Sequence, residues 1–279
     1  MLFKAVLLGI IEGLTEFLPV SSTGHLIIAN RFITLDKGFE ALFDIVIQIG
    51  AILAVVVYFR AELFPSGIIS DFKKAENGSA EKKNKDYSSG DSRVYLLWAK
   101  IITAFIPAAV IGLFVDDILE KYLFNTGSVS AALIAGAFMM LYAEKFRTRK
   151  LTENVSAITV KQAIVIGLFQ CLAMWPGMSR SASTIAGGLF AGLSRSMAAE
   201  FSFLLGIPTI MAASLYKLYK AGFSAITPHQ WSALAAGTAV SFVTALLVIR
   251  FFMEYLKKKG LAPFAFYRIA LGIILIIFL

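Results

Sequence analysis

Six long apolar stretches are the feature that most constrains how this 279-residue chain can fold. They cover about residues 40–59, 95–114, 129–146, 198–217, 231–250 and 263–279. Each is close to the roughly 20 residues that a helix needs to cross the hydrocarbon core of a bilayer. Charged residues make up only 16% of the chain, against about 25% in a soluble domain. The sequence therefore predicts an all-α polytopic membrane protein, and it excludes a soluble enzyme and a nucleic-acid-binding domain of ordinary composition.

Two further apolar regions are interrupted by short polar segments. Residues 1–33 break at Pro19-Val-Ser-Ser-Thr-Gly24, and residues 160–194 break at Pro176-Gly-Met-Ser-Arg-Ser181. Non-helical backbone is tolerated at membrane depth only where it is buried in protein or lines a cavity. We therefore predict that each region is a re-entrant helical hairpin. The expected fold has six transmembrane helices plus two re-entrant helical hairpins.

The excess positive charge indicates the orientation in the membrane. The net charge is +8, and the basic residues concentrate in three connections, at about 60–94, 145–161 and 251–262. Few basic residues occur in the opposite connections, near 34–39, 115–128 and 218–230. Because basic loops favour the cytoplasmic side, we expect the polar loop at about 60–94, with its insert near 73–92, to be cytoplasmic. Both termini and the first hairpin then lie on the outer side, and the second hairpin enters from the cytoplasm.

The two hairpins resemble each other when they are aligned with an offset of 158 residues. The matched pairs include Gly9 with Gly167, Glu12 with Gln170, and Ser21 with Ser179. Each half of the chain, about 1–150 and about 158–279, then holds one hairpin and three spans. Because three crossings is an odd number, the halves have opposite topology, an arrangement that places a site near the membrane midplane in transporters. We predict a single integral membrane domain over residues 1–279 that is built as an inverted-topology repeat.

The first hairpin carries ionisable groups, which are costly inside a membrane and mark candidate functional sites. Glu12 and Glu16 are four residues apart and therefore share one helix face. Such a pair either binds a cation or shares a proton, and hard cations such as Mg²⁺ and Ca²⁺ prefer oxygen ligands. The turn that follows adds four polar groups, Ser21, Ser22, Thr23 and His25. A hydroxyl beside an imidazole fits a nucleophile and its base, and the same hydroxyls equally fit the N-cap of the next helix.

The second hairpin carries a cation among hydroxyl groups. Its polar residues after Pro176-Gly177 include Ser179, Arg180, Ser181 and Thr184. Backbone N–H groups at the start of a half-helix, together with hydroxyls and a guanidinium, form a phosphate-binding site. An arginine at this depth needs an anionic partner, which would be Glu12, Glu16 or a ligand. Inverted symmetry would bring the two tips together, and the resulting site suits a phosphorylated amphiphile.

Both broken segments closely resemble the signature segments of the undecaprenyl-pyrophosphate phosphatase family. This is the bacitracin-resistance-protein type, which is distinct from the type 2 phosphatidic acid phosphatases. The matching segments are Glu12-Gly-Leu-Thr-Glu-Phe-Leu-Pro-Val-Ser-Ser-Thr-Gly-His25 and Pro176-Gly-Met-Ser-Arg-Ser-Ala-Ser-Thr184. The resemblance extends over nearly the whole chain, including Glu200-Phe-Ser-Phe-Leu-Leu205 and Pro263-Phe-Ala-Phe-Tyr-Arg268.

The resemblance implies hydrolysis of undecaprenyl pyrophosphate to undecaprenyl phosphate and inorganic phosphate. This reaction recycles the lipid carrier for cell-wall synthesis and confers bacitracin resistance. The resemblance also implies a divalent metal, Mg²⁺ or Ca²⁺, held by Glu12 and Glu16. The implied location is the bacterial cytoplasmic (inner) membrane, with the active site on the outer, periplasmic side. The catalytic residues are expected to be Glu12, Glu16, Ser22, His25 and Arg180. The substrate-binding residues are expected to be Ser21, Thr23, Ser179, Arg180, Ser181 and Thr184.

The sequence leaves the nucleophile undecided between Ser22, His25 and an activated water. The alternative function is a transporter or flippase of polyprenyl phosphate lipid, because inverted repeats with broken helices also serve transport. We expect a polyprenyl diphosphate lipid and the membrane as partners, and no nucleic acid. The small residues Gly187, Gly188 and Gly192 permit close helix packing, and such packing could form a homodimer.

Overall fold

The computed structural model describes residues 1–36, 38–65, 88–146, 151–221 and 226–278. In these ranges all elements of regular secondary structure are helices. The first part of the chain forms α1 (Leu2–Thr15), α2 (Ser22–Phe32), α3 (Glu40–Val46), α4 (Gln48–Tyr58), α5 (Arg60–Leu63), α6 (Ser88–Leu123) and α7 (Thr126–Lys145). The second part forms α8 (Val160–Leu172), α9 (Arg180–Phe190), α10 (Arg195–Ala221), α11 (Pro228–Lys258) and α12 (Ala262–Phe278). The polar loop predicted at about 60–94 lies mostly outside the described residues, as do 147–150.

Five helical segments within the described ranges are long and apolar enough to cross a membrane. They are Glu40–Tyr58, Ser92–Val115, Thr126–Lys145, Arg195–Lys220 and Pro228–Lys258. These segments match five of the six predicted spans, and the sixth corresponds to α12, which is apolar but has only 17 residues. An all-helical, multi-pass membrane protein is therefore confirmed.

Both predicted breaks occur, between α1 and α2 and between α8 and α9. The residue before α2 and the residue before α9 have nearly the same positive φ, 72° at Ser21 and 71° at Ser179. Each of these serines also caps the helix that follows, since its Oγ accepts a hydrogen bond from the backbone N–H three residues further on. The N-cap role is thus confirmed for Ser21. Left-handed backbone is unfavourable for a residue with a side chain, so its occurrence in both turns indicates a functional constraint.

Glycines let the first helix of each hairpin approach a partner helix closely. Helix α1 packs along α11, and α8 packs along α6. A Cβ added to Gly9 would lie 2.5 Å from the carbonyl oxygen of Gly237. A Cβ added to Gly167 would likewise overlap the carbonyl oxygen of Ala104. Because these two glycines are one of the pairs matched by the offset of 158, both hairpins use the same position for close packing.

The glycines considered for dimerisation have a different role. A Cβ at Gly187 would overlap the Phe169 ring, and a Cβ at Gly188 would overlap Ala198, so both glycines serve packing within the chain. Both are buried. They therefore do not provide an open face for a second copy, and the homodimer stays a prediction.

Candidate active site

A cavity of about 590 Å³ lies between the two turns and helices α6 and α10. The first hairpin lines it with Glu16, Ser21, Ser22 and Thr23, and the second with Ser179 and Arg180. The wall formed by α6 and α10 is largely apolar and includes Phe105, Ala108, Ala109, Leu113, Ile210 and Ala213. The two hairpin tips therefore meet, as the sequence predicts, and they form the polar end of a cavity with an apolar wall.

Glu16 connects the two hairpins. Its Oε2 accepts a hydrogen bond of 2.6 Å from the Ser22 hydroxyl, and its Oε1 pairs with Arg180 Nη2 at 3.3 Å. Arg180 Nη1 donates to the carbonyl oxygen of Ser202 at 2.7 Å, and the guanidinium lies over the Phe17 ring, 5.8 Å from its centre. The side chains of Arg180 and Glu16 are only 10% and 7% exposed, so solvent screens their attraction weakly. Arg180 thus has the anionic partner that its depth requires.

Glu12 is fully buried and does not line the cavity. Neither of its carboxylate oxygens receives a hydrogen bond from a described residue. A buried carboxylate without a donor is unfavourable and calls for a cation or a proton. Glu16, Asp44 and Arg180 are the charged side chains that act on Glu12 electrostatically.

The carboxylate oxygens of Glu12 and Glu16 are the ligand type that a hard cation prefers. Among the described residues, no three His, Cys, Asp or Glu side chains come close enough to hold a metal by themselves. Mg²⁺ in phosphate-processing sites is typically held by one or two carboxylates, and water and phosphate oxygens complete its ligand shell. The unsatisfied oxygens of Glu12, with Glu16 beside them, match that pattern.

His25 does not line the cavity, and its two ring nitrogens are engaged by other groups. Its Nδ1 lies 2.8 Å from the carbonyl oxygen of Ser21, and its Nε2 lies 2.6 Å from the Tyr267 hydroxyl. The His25 and Tyr267 rings are nearly parallel, at 4°, with their centres 5.6 Å apart. The group that the structure places on the Ser22 hydroxyl is therefore Glu16 rather than His25.

Two predicted substrate-binding residues, Ser181 and Thr184, do not line the cavity but fasten the second hairpin to its surroundings. The Ser181 hydroxyl donates to the carbonyl oxygen of Leu18 at 3.0 Å and so joins the two turns. Thr184 donates to the carbonyl oxygen of Arg180 at 2.8 Å, and its hydroxyl lies 2.6 Å from that of Ser202. Both residues therefore support the start of α9, which carries the guanidinium.

Arg268 in α12 is a site residue that the motifs did not single out. Its side chain is completely buried, and its guanidinium donates five hydrogen bonds of 2.8 to 3.4 Å, all to backbone carbonyl oxygens. Two acceptors belong to α7, one is Pro19 in the first turn, and two are Gly177 and Met178 in the second turn. Arg268 therefore fixes the two turns relative to each other. The signal available in the sequence was an arginine inside an apolar stretch.

The fold and the site define a multi-pass membrane protein with a polar centre built from two broken hairpins. The chain belongs to the family of the bacitracin resistance protein BacA, whose family model matches residues 5–274. It is 48% identical over 278 residues to the undecaprenyl-diphosphatase of Thermoanaerobacter sp. (strain X514), covering 99% of this chain and 96% of that protein. It is 45% identical over 278 residues to the undecaprenyl-diphosphatase of Clostridium tetani, with the same coverage. It is also 45% identical over 277 residues to undecaprenyl-diphosphatase 1 of Clostridioides difficile, covering 99% and 95%. The resemblance predicted from the two motifs is confirmed.

Proposed function

We propose that this chain hydrolyses undecaprenyl pyrophosphate to undecaprenyl phosphate and inorganic phosphate. The reaction recycles the lipid carrier of cell-wall synthesis and confers bacitracin resistance. The contact between Ser22 Oγ and Glu16 Oε2, with Arg180 on the same carboxylate, carries the proposal. This contact lies at the polar end of a cavity whose other wall is apolar, which matches the anionic head and apolar tail of the substrate. The names of the relatives support the choice of substrate.

In this proposal Ser22 is the nucleophile and Glu16 is its base. The Ser22 oxygen attacks the terminal phosphorus in line, its proton passes to Glu16, and the bond from that phosphorus to the bridging oxygen breaks. Undecaprenyl phosphate leaves, and water then hydrolyses the phosphoserine to release inorganic phosphate. Arg180 binds the phosphate oxygens, and its Nε, which has no acceptor among the described residues, is available for them.

The remaining predicted residues have supporting roles in the same proposal. Ser21, Thr23 and Ser179 line the cavity and bind the diphosphate beside the reacting groups. His25 holds the first turn through the Ser21 carbonyl oxygen. Hydrolysis is favoured over the flippase alternative because a carrier has no need of a hydroxyl bonded to a carboxylate base.

Glu12 and Glu16 would hold the divalent cation, Mg²⁺ or Ca²⁺. When bound, such a cation neutralises charge on the diphosphate. The unsatisfied oxygens of Glu12 support this assignment. The protein's own contribution is to keep the two carboxylates together and shielded from water.

The assay that tests the function measures phosphate release from undecaprenyl pyrophosphate by the detergent-purified protein. We expect release that EDTA abolishes and that added Mg²⁺ or Ca²⁺ restores. A Glu12→Gln variant should need about 10-fold to 100-fold more metal for half-maximal activity, because it loses a charged ligand. Glu153→Gln, at an exposed acid, is the matched control.

The outcomes of this assay test the role of Glu12 as a metal ligand and distinguish a phosphatase from a flippase. An unchanged metal requirement in Glu12→Gln would remove that carboxylate from the metal site. A folded wild-type protein that binds the lipid but releases no phosphate would favour the flippase.

We also propose six transmembrane helices and two re-entrant hairpins, arranged as inverted repeats of about 1–150 and 158–279. The polar loop at about 60–94 is placed in the cytoplasm, and the active site opens to the outer side of the bacterial cytoplasmic membrane. The matching φ angles of Ser21 and Ser179 and the matched packing at Gly9 and Gly167 support the repeat.

Single cysteines labelled in intact cells test this topology. In a Cys171→Ala background, His229→Cys should react with a membrane-impermeant maleimide from outside. Lys259→Cys should react only after the membrane is permeabilised, because the basic connections lie in the cytoplasm. The reverse pattern would place the active site on the cytoplasmic side.

A further inference from the structure

Gln170, in the last turn of α8, lines the cavity beside the two hairpin tips. Its side chain is almost fully buried. Its Oε1 lies 3.2 Å from the Thr209 hydroxyl, and its Nε2 has no acceptor among the described residues. The amide is thus held on one side by α10 and unsatisfied on the other.

The lack of an acceptor does not depend on which way the amide group of Gln170 is oriented, because the amide has two N–H groups. A primary amide carries two N–H donors, and the Thr209 hydroxyl can accept only one of them. The Thr209 hydroxyl also lies 2.8 Å from the carbonyl oxygen of Leu205, to which it can donate its single proton. At least one N–H of Gln170 therefore lacks an acceptor within the described part of the chain in either orientation. A buried donor without a partner is unfavourable unless a ligand provides the acceptor.

The order of residues along α10 indicates which part of the ligand this donor meets. The Ser202 carbonyl accepts a hydrogen bond from the guanidinium of Arg180, and a Cβ added to Gly206 would overlap that guanidinium. Thr209, which holds Gln170, follows Gly206 by three residues, about 4.5 Å along a helix axis. The apolar residues of the cavity wall on α10 begin at the next position, Ile210. Gln170 thus lies between the place for the terminal phosphate and the apolar wall.

The repeat offers an independent argument for an anion at this position. Gln170 is matched with Glu12 by the offset of 158 residues, and both side chains are buried with unsatisfied polar atoms. A carboxylate only accepts hydrogen bonds and suits a cation, whereas the amide N–H donates and suits an anion. Of the two equivalent positions, Glu12 therefore suits the metal and Gln170 suits the phosphate of a metal-bound diphosphate.

We propose that Gln170 donates a hydrogen bond to the inner phosphate of the substrate, the phosphate that carries the undecaprenyl chain. It thereby holds the leaving group while Ser22 and Arg180 act on the terminal phosphate. Thr209 is the positioning residue that fixes the amide. This inference rests on the proposed function and adds a specificity-determining residue to it.

The test compares inhibition by the two products in the wild type and in Gln170→Met, which keeps the shape and removes the donor. We expect the inhibition constant of undecaprenyl phosphate, and the KM of undecaprenyl pyrophosphate, to rise about 10-fold or more, as for one lost hydrogen bond to a charged group. Inhibition by inorganic phosphate should stay unchanged. Gln170→Glu should weaken the lipid product further, because its carboxylate repels the phosphate.

Thermal unfolding distinguishes ligand binding from a structural role. Without lipid, Gln170→Met should unfold at the wild-type temperature or above it, because a buried unsatisfied amide has been removed. The stabilisation by undecaprenyl phosphate should shrink. Cys171→Ala controls for disturbance of the same helical turn, since this thiol donates to the carbonyl oxygen of Gly167 in α8 itself.

Three outcomes would overturn the inference. The first is that undecaprenyl phosphate inhibits Gln170→Met and the wild type equally. The second is that the inhibition constant of inorganic phosphate rises as much as that of undecaprenyl phosphate. The third is that Gln170→Met unfolds at a lower temperature than the wild type without lipid. If the wild-type protein releases no phosphate, the proposed function fails. The lipid-induced shift in unfolding temperature then still tests Gln170 as a phosphate ligand.

Discussion

Replacing Ser22 with alanine is expected to lower kcat by at least about 10³-fold, the kind of loss seen when an enzyme is deprived of its nucleophile. The Ser22 hydroxyl donates to Glu16 Oε2 at 2.6 Å, which is the geometry of a nucleophile with its base. KM should change little, because Arg180 and the apolar wall remain. The measurement is steady-state phosphate release together with acid-quenched labelling from substrate that carries ³²P in its terminal phosphate. Label should appear on the wild-type protein and not on Ser22→Ala.

Ser183→Ala is the matched control for this experiment. Its hydroxyl is buried in α9, lacks a partner among the described residues and does not line the cavity, so its removal should leave kcat unchanged. Retention of about a tenth or more of the wild-type kcat in Ser22→Ala would identify a water as the nucleophile, with Glu16 as the base.

The two helix breaks, and the contact between them, were predictable because polar and helix-breaking residues inside an apolar stretch are local features of the sequence and are energetically costly in a membrane. Prolines and hydroxyls inside apolar stretches interrupt a helix, and membrane depth tolerates the interruption only within protein. The offset of 158 residues paired Ser21 with Ser179, and the structure gives both the same left-handed backbone and the same capping contact. Local patterns that occur twice in one chain thus predict the position of the polar centre from the sequence alone.

The partners within the site were less predictable. Spacing allowed the hydroxyls beside His25 either a catalytic role or the N-cap of the next helix. The path of the chain through the turn decides the outcome, in which Ser21 caps α2 and Glu16 accepts from the Ser22 hydroxyl. The contacts of Arg268 were harder still to predict, since its acceptors Pro19 and Met178 in the two turns are 249 and 90 residues away in the sequence. Hydrophobic periodicity in the sequence does not predict such contacts, because they depend on how α12 packs against the other helices.

Replacing Arg268 with methionine is expected to lower kcat/KM at least about 100-fold, the size of effect that a misplacement of about 1 Å can have in a preorganised site. The substitution leaves five carbonyl oxygens without this donor and frees the two turns from each other. Because Ser22 and Arg180 directly follow the two turns, at the starts of α2 and α9, their alignment on one phosphate is lost. Arg268→Lys, with three donors in place of five, should give an intermediate rate. The measurements are kinetics in detergent and the unfolding temperature of each variant.

A substitution at Gly136 tests positioning while Arg268 itself is kept. A Cβ at Gly136 would overlap the Arg268 guanidinium, so Gly136→Ala should displace it and reproduce much of the loss in kcat/KM. Gly127→Ala, near the start of the same helix, is the control, since its Cβ meets its closest neighbouring atom at an ordinary 3.6 Å. Alanine is also the better helix former, so the control should keep both activity and stability. Full activity in Gly136→Ala, at a lowered unfolding temperature, would mean that the guanidinium stabilises the fold without setting the geometry of the active site.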